Sequence, residues 1–194
     1  MIMLTKPLVL GSGSPRRKEI LEKAGFQFSV EVKPTDESFP KSMPVGEVAS
    51  YLSAQKVTEF GDEYNDKIVL CSDTVVILNG EIMNKPIDVS EAAMMLKTLS
   101  GNQHKVITGV SVKVNGEINS FSDECFVNFE ELSDSEINYY IKTCKPFDKA
   151  GAYGIQDFIG MAKISKLEGS FYTVMGLPVH KVYQALQPYI QWNL

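Results

Sequence analysis

Three groups of residues in this chain carry charge where the local pattern does not favour it. Asp73 sits inside Ile68-Val69-Leu70-Cys71-Ser72-Asp73-Thr74-Val75-Val76-Ile77-Leu78. A carboxylate within so apolar a run is costly unless it is paired or holds a metal. Acids beside Ser and Thr in such places ligate cations or accept protons, and ionisable groups in costly positions cluster at functional sites. The alternative is a structural Asp bonded to neighbouring backbone. Lys56 follows Val45, Val48, Ala49 and Leu52 on one stripe at helical spacing. A lysine on that face needs an anion, or it snorkels past the end of the core. The third group is Ser12-Gly13-Ser14-Pro15-Arg16-Arg17, between the apolar run Leu8-Val9-Leu10 and a helical pattern over Lys18 to Ala24.

That third segment reads as a strand, a small-residue turn and a helix N-terminus. Ser14 suits the cap, Pro15 the first turn and Gly25 the stop. Backbone N–H groups, the positive end of the helix dipole and a guanidinium fork converge there, which makes a phosphate site. Against this, arginines in a first turn oppose the dipole and are compatible with solvated surface. The segment lacks the Gly-Lys-Ser/Thr ending of a Walker loop. It is not a dinucleotide fingerprint either, because Arg16 stands where the third glycine belongs.

Weaker candidates lie elsewhere. Asp36-Glu37 falls in a polar loop and Lys85-Pro86 follows a hairpin. In Lys149-Ala150-Gly151-Ala152-Tyr153-Gly154-Ile155-Gln156 the small residues allow close approach of backbone to a ligand. Gln156 offers both a donor and an acceptor, which suits a base edge; a tight connector with an exposed glutamine is the plainer reading.

Strand and helix patterns alternate, which predicts an α/β fold. Strands are expected at Leu8 to Leu10, Phe26 to Val32, Ile68 to Leu78, Glu81 to Met83, Val106 to Val114 and on through Phe129. Asn79-Gly80 and Asn115-Gly116 mark hairpins. Helices are expected over Val45 to Phe60 and Ser90 to Leu99, from a Ser133/Glu136 capping box to Ile141, and after Pro178. Pro34 to Pro44 and Lys145 to Gln156 read as loops. No repeat or composition break divides the 194 residues. One domain over 1–194 is expected, with 86–142 a possible lobe of its own.

A net charge of −5 gives no general bias toward nucleic acid, so a phosphate ligand needs a local cationic pocket. No apolar run approaches the ~18 residues of a membrane span. The N-terminus lacks a signal-peptide pattern. Three cysteines without C-x-x-C spacing read as reduced thiols in a cytoplasmic protein. Two histidines make a zinc site improbable, and any metal is expected to be a hard cation on carboxylates.

Taken together and in order, these segments resemble the Maf family of nucleoside triphosphate pyrophosphatases. The motifs are Ser12 to Arg17, Ser72-Asp73-Thr74-Val75-Val76, Lys85-Pro86, Leu99-Ser100-Gly101 through Thr108-Gly109-Val110, Asp148 to Gln156, and Gly169-Ser170-Phe171-Tyr172 with Gly176-Leu177-Pro178. The resemblance covers about Leu8 to Leu186. It implies an inosine-triphosphatase-like (Maf/Ham1-like) α/β fold: a long mixed twisted sheet with flanking helices, and two lobes around a cleft. It implies cleavage of a nucleoside triphosphate between the α- and β-phosphates, giving a monophosphate and pyrophosphate.

By motif, Asp73 corresponds to the catalytic acceptor, and Arg16, Thr74 and Gln156 to the positions that set substrate choice. The Arg-Arg pair and the Ile-Gln ending resemble the branch acting on dTTP and UTP, not the one acting on 7-methyl-GTP. Cys71 stands where that family often has alanine, and Asp157 where glycine is common. The expected mechanism places Mg²⁺ or Mn²⁺ between Asp73 and Glu37. Ser12, Arg16, Lys56 and Lys85 hold the phosphates, while Thr74 and Gln156 face the pyrimidine or its sugar. Arg17 is expected to brace the turn. A homodimer without nucleic-acid or membrane partners is implied. The alternative activity is a nucleotide-binding regulator of septum formation that does not turn its ligand over.

Overall fold

The structure, a computed structural model, describes residues 2–192. Its strands are β1 (Met3–Leu4), β2 (Leu8–Leu10), β3 (Phe28–Val30), β4 (Ile68–Leu78), β5 (Glu81–Met83), β6 (Gln103–Val114), β7 (Glu117–Phe129), β8 (Ile164–Glu168) and β9 (Ile190–Gln191). Its helices are α1 (Pro15–Lys23), α2 (Val48–Thr58), α3 (Val89–Leu99), α4 (Asp134–Cys144), α5 (Phe158–Lys163), α6 (Phe171–Met175) and α7 (Val179–Leu186). The main sheet is mixed, in the order β3-β2-β4-β6-β7-β8 with β5 added on β4. β2 runs parallel to β3 and β4, while β4–β5 and β7–β8 are antiparallel. β1 and β9 form a separate antiparallel pair.

Two compact units share these elements. The first comprises the chain up to Asp73, Thr108–Asp123 and the chain from Gly176. The second comprises Thr74–Ile107 and Glu124–Met175. The chain therefore crosses between units inside β4, β6 and β7. These strands have no break in composition, which is why no boundary shows in the sequence.

Local chemistry explains most of the elements. Asn79 and Gly80 (φ 52° and 82°), like Asn115 and Gly116 (54° and 83°), take the left-handed backbone of two-residue hairpin turns. Ser133 and Glu136 form a complete capping box, each side chain accepting the other's backbone N–H. The carboxyl of Glu136 is pulled down to about 2 by Lys163 and by Ser133. Ala92, Leu96 and Leu99 share the buried face of α3. The structure differs at the start of α1. Ser14 occupies the N-cap position, but its hydroxyl makes no capping bond. Ser12 Oγ instead accepts the Ser14 N–H at 3.3 Å.

Two glycines in the first unit fix close approaches. A Cβ on Gly11 would collide with Cys71 Sγ and come within 2.9 Å of the Phe60 ring. A Cβ on Gly109 would strike the backbone of Ala49 and Ser50, so α2 rests directly on β6. Burial pushes the Cys71 thiol up to about 12, which keeps it protonated and unreactive. In the second unit, His104 is 2% exposed, with Nε2 2.7 Å from the Tyr153 hydroxyl. It packs edge-on against Phe129 and Tyr153.

Gly11→Ala should destabilise the protein by about 1–3 kcal/mol through overpacking. Adding Cys71→Ala should recover a measurable part of that loss in urea unfolding, whereas additive effects would show that the thiol is not the obstacle. Burial lowers the His104 pKa from 6.5 to about 4. Between those values the unfolded chain binds the proton and the native protein does not. Stability should fall by about 3 kcal/mol from this group as pH drops through that window, and no further below it. His104→Phe should remove that part of the slope in denaturant titrations at pH 7 and pH 4.5. An unchanged slope would mean that His104 does not titrate differently on unfolding.

Candidate active site

β4 is buried along its whole length except at Asp73 and Thr74, its two half-buried positions. In the first unit three elements converge on Asp73. β4 presents the carboxylate, α2 brings Lys56, and the loop before α2 brings Glu37. Lys56 Nζ donates a hydrogen bond to Asp73 Oδ1 and lies 2.7 Å from Glu37 Oε1. The Lys56 and Asp73 side chains are only 16% and 14% exposed, Glu37 54%. The stripe on α2 thus carries a lysine that does meet an anion. The Asp36 carboxylate accepts from the Ser38 N–H and hydroxyl at 3.0 and 2.8 Å.

The Ser12–Arg17 turn is fastened to the same strand. Gly11 N–H donates to the Leu70 carbonyl at 2.8 Å. Arg17 Nη1 donates to Ser12 Oγ at 3.0 Å and Nε to the Gly176 carbonyl at 2.8 Å. That carbonyl also accepts from the Ser72 hydroxyl at 3.0 Å. One backbone oxygen therefore ties the turn to the residue before Asp73. Burial lowers the Arg17 pKa and the Asp73 charge opposes the shift; a guanidinium stays charged regardless. Arg17 braces the turn, as the sequence suggested. Arg16 is half-buried in the first turn of α1.

The remaining sequence candidates lie in the second unit. Thr74 follows Asp73 on β4, and Lys85 is exposed just beyond β5. The Asn84 carbonyl accepts the Gly151 N–H at 3.1 Å, tying the Lys85 segment to the loop that ends at Gln156. Gly151 has φ 66°, and a Cβ there would press on Val76 at 3.0 Å. Gln156 Oε1 is buried and has no hydrogen-bond partner. The structure thus brings together Ser12, Arg17, Glu37, Lys56 and Asp73 in one unit, and Lys85 and the Gln156 loop in the other.

Sequence reasoning did not find the part played by Gly176, whose contribution is a carbonyl that any residue type supplies. The only signal was its place in the Gly176-Leu177-Pro178 motif. Nor did it find Tyr140, which reads as an ordinary core residue of α4. Among the described residues, no group of three or more His, Cys, Asp and Glu side chains is placed to hold a metal ion. No helix among them is long and apolar enough to cross a membrane.

The family model described as Maf-like protein matches residues 7–189. A dTTP/UTP pyrophosphatase of Porphyromonas gingivalis is 44% identical over 190 residues, covering 96% of each chain. One of Cytophaga hutchinsonii is 44% identical over 180 residues, covering 93% of this chain and 83% of that protein. One of Halalkalibacterium halodurans is 41% identical, covering 94% and 95%. Among solved structures, the Staphylococcus aureus Ham1 protein aligns with a TM-score of 0.47 at 14% identity, over 64% of this chain and 72% of that one.

Arg17→Ala removes two charge-assisted hydrogen bonds and should lower stability by about 2 kcal/mol. Arg17→Lys should recover little of it, because an ammonium cannot reproduce the fork. Thermal melts of both variants check this, and full recovery by lysine would contradict the bracing geometry.

Proposed function

Because the chain belongs to the Maf-like protein family, we propose that it hydrolyses dTTP and UTP at the α–β phosphoanhydride, releasing a nucleoside monophosphate and pyrophosphate. The observation that carries this reading is the Lys56–Asp73 pair at the one opening in β4, beside the Ser12–Arg17 turn. A triphosphate carries several negative charges, and phosphoryl transfer is governed by positioning and charge neutralisation. In the first unit Arg16 and Lys56 supply the cations, and Ser12 with the start of α1 supplies further donors.

The ion pair gives Asp73 two states. Without substrate, Lys56 neutralises it. A triphosphate competes for the Lys56 ammonium, and the released carboxylate can take a proton from water. The water oxygen bonds to phosphorus, the bridging P–O bond breaks, pyrophosphate departs and the proton passes through Asp73 to solvent. An ordinary aspartate is a weak base, so further activation is needed.

A divalent cation fits the donor set. Asp73 and Glu37 are the two carboxylates that share Lys56. Mg²⁺ at phosphate sites typically uses one or two carboxylates together with substrate oxygens. Bound by Asp73 and Glu37, Mg²⁺ or Mn²⁺ would offset phosphate charge and make water easier to deprotonate. Lys56 then serves the phosphates. Thr74 and Gln156 face the pyrimidine or its sugar. The enzyme is proposed to draw on the cytoplasmic nucleotide pool as a homodimer, an assembly that light scattering measures directly.

With dTTP and Mg²⁺, the wild-type protein should release pyrophosphate and thymidine monophosphate. Inorganic phosphate as the first product would indicate a phosphatase, and bound but unhydrolysed dTTP a regulator. Asp73→Asn should keep its fold by circular dichroism and lose about 10²–10⁴-fold in kcat. Wild-type turnover by the folded variant would refute the role of Asp73.

A further inference from the structure

The loop that ends at Gln156 is anchored by a polar relay that the proposed chemistry does not use. Tyr140, fully buried on α4, accepts the Gly154 N–H at 3.0 Å and donates its own hydroxyl proton to Asp157 Oδ2 at 2.8 Å. Burial and the Asp157 charge both raise the Tyr140 pKa, so the phenol remains a donor. Lys149 Nζ stands 3.8 Å from the same carboxylate oxygen and 2.8 Å from Asp148. Asp157 N–H closes the turn on the Gly154 carbonyl at 3.0 Å. The loop is thus held at both ends of a four-residue turn, with Gln156 inside it.

The packing around Gly154 is as informative as the bonds. A Cβ there would lie 2.6 Å from Asp157 Oδ2 and 3.1 Å from Gln156 Nε2. The carboxylate and the amide nitrogen therefore flank the same α-carbon. A negative charge at that position favours the NH₂ end of the carboxamide on its side and disfavours the oxygen. The oxygen, Oε1, is the buried acceptor without a partner. An unmet buried acceptor is costly, so a ligand N–H is a favourable exchange for it.

Orientation matters because a glutamine amide is nearly symmetric in shape. Uracil and thymine present an N3–H donor beside a carbonyl acceptor; cytosine presents an N3 acceptor beside an amino donor. A carboxamide free to rotate by 180° satisfies either base. One held with its oxygen committed to an N–H accepts uracil and thymine and leaves cytosine unpaired, a mismatch that discriminates strongly in a buried site.

We propose that in this chain Asp157, acting through Tyr140 and Gly154, is a positioning residue that fixes the orientation of the Gln156 carboxamide and so sharpens the preference for uracil and thymine over cytosine. This rests on the reading of Gln156 as a base contact in a pyrophosphatase. No partner from outside Asp134–Lys163 is required.

The test is the ratio of kcat/KM for UTP to that for CTP, measured by pyrophosphate release. Because both constants scale with the folded fraction, the ratio survives partial destabilisation of a variant. Asp157→Ala and Tyr140→Phe should each lower the ratio about tenfold, chiefly by raising KM for UTP while kcat changes less than about threefold. Asp157→Asn keeps an acceptor for Tyr140 and should fall less than Asp157→Ala. A ratio unchanged in both Asp157→Ala and Tyr140→Phe overturns the positioning role. Gln156→Ala separates that failure from failure of the underlying reading. If Gln156→Ala shifts the ratio and the other two do not, only the relay is wrong. If Gln156→Ala leaves it unchanged, Gln156 does not read the base and the proposal falls with it. Absence of pyrophosphate release by wild type from either nucleotide overturns the activity itself.

Discussion

An ammonium and a carboxylate, both largely removed from water at the middle of β4, set the terms for the first unit. Lys56 and Asp73 are each costly there without a partner, since their side chains are only 16% and 14% exposed. Their pairing requires that α2 lie at one height over the sheet, and Gly109 provides it by letting the Ala49–Ser50 backbone rest on β6. It also requires that β2 and β4 stay in register, which Gly11 permits by leaving room for Cys71 and Phe60. The Gly176 carbonyl, shared by Arg17 and Ser72, then locks the Ser12–Arg17 turn to the strand that carries Asp73. The ion pair is thus positioned by several close backbone contacts.

The second unit uses a neutral hydroxyl for a comparable purpose. Tyr140 links the Gly154 N–H to the Asp157 carboxylate without placing a second full charge in the core. Its ring packs within the same apolar cluster as Ile137, Ile141 and Ile159. A loop rich in glycine and alanine, which would otherwise be mobile on conformational grounds, is thereby tied to a helix. Small residues let the loop approach β4 and the polar relay holds it there.

Much of this was legible in the sequence where a local rule decides the outcome. The run Ile68–Leu78 forms β4 with the expected ends, and the two Asn-Gly pairs turn as hairpins because their φ values must be positive. The Ser133–Glu136 capping box and the lysine on the α2 stripe were visible for the same reason. Longer-range decisions were not. Phe26 to Val32 shortens to β3 because only Phe28–Val30 pair with β2, and α2 begins at Val48 rather than Val45. α5, β8 and α6 are too short for periodicity to register, and β8 exists through its pairing with β7. Ser14 stands at the cap position of α1 without a side-chain capping bond, and Ser12 Oγ accepts from the Ser14 N–H and from Arg17 instead. Asp157 stands where the family commonly has glycine, and its carboxylate accepts the Tyr140 hydroxyl that also holds the Gly154 N–H.

The ion pair at the centre of the first unit can be measured directly. A double-mutant cycle of Lys56→Met and Asp73→Asn, followed by urea unfolding of the substrate-free protein at neutral pH, isolates their interaction. A favourable coupling of at least about 1 kcal/mol is expected for a charged pair this little exposed. Additivity within about 0.3 kcal/mol would contradict the pairing and, with it, the two-state behaviour assigned to Asp73.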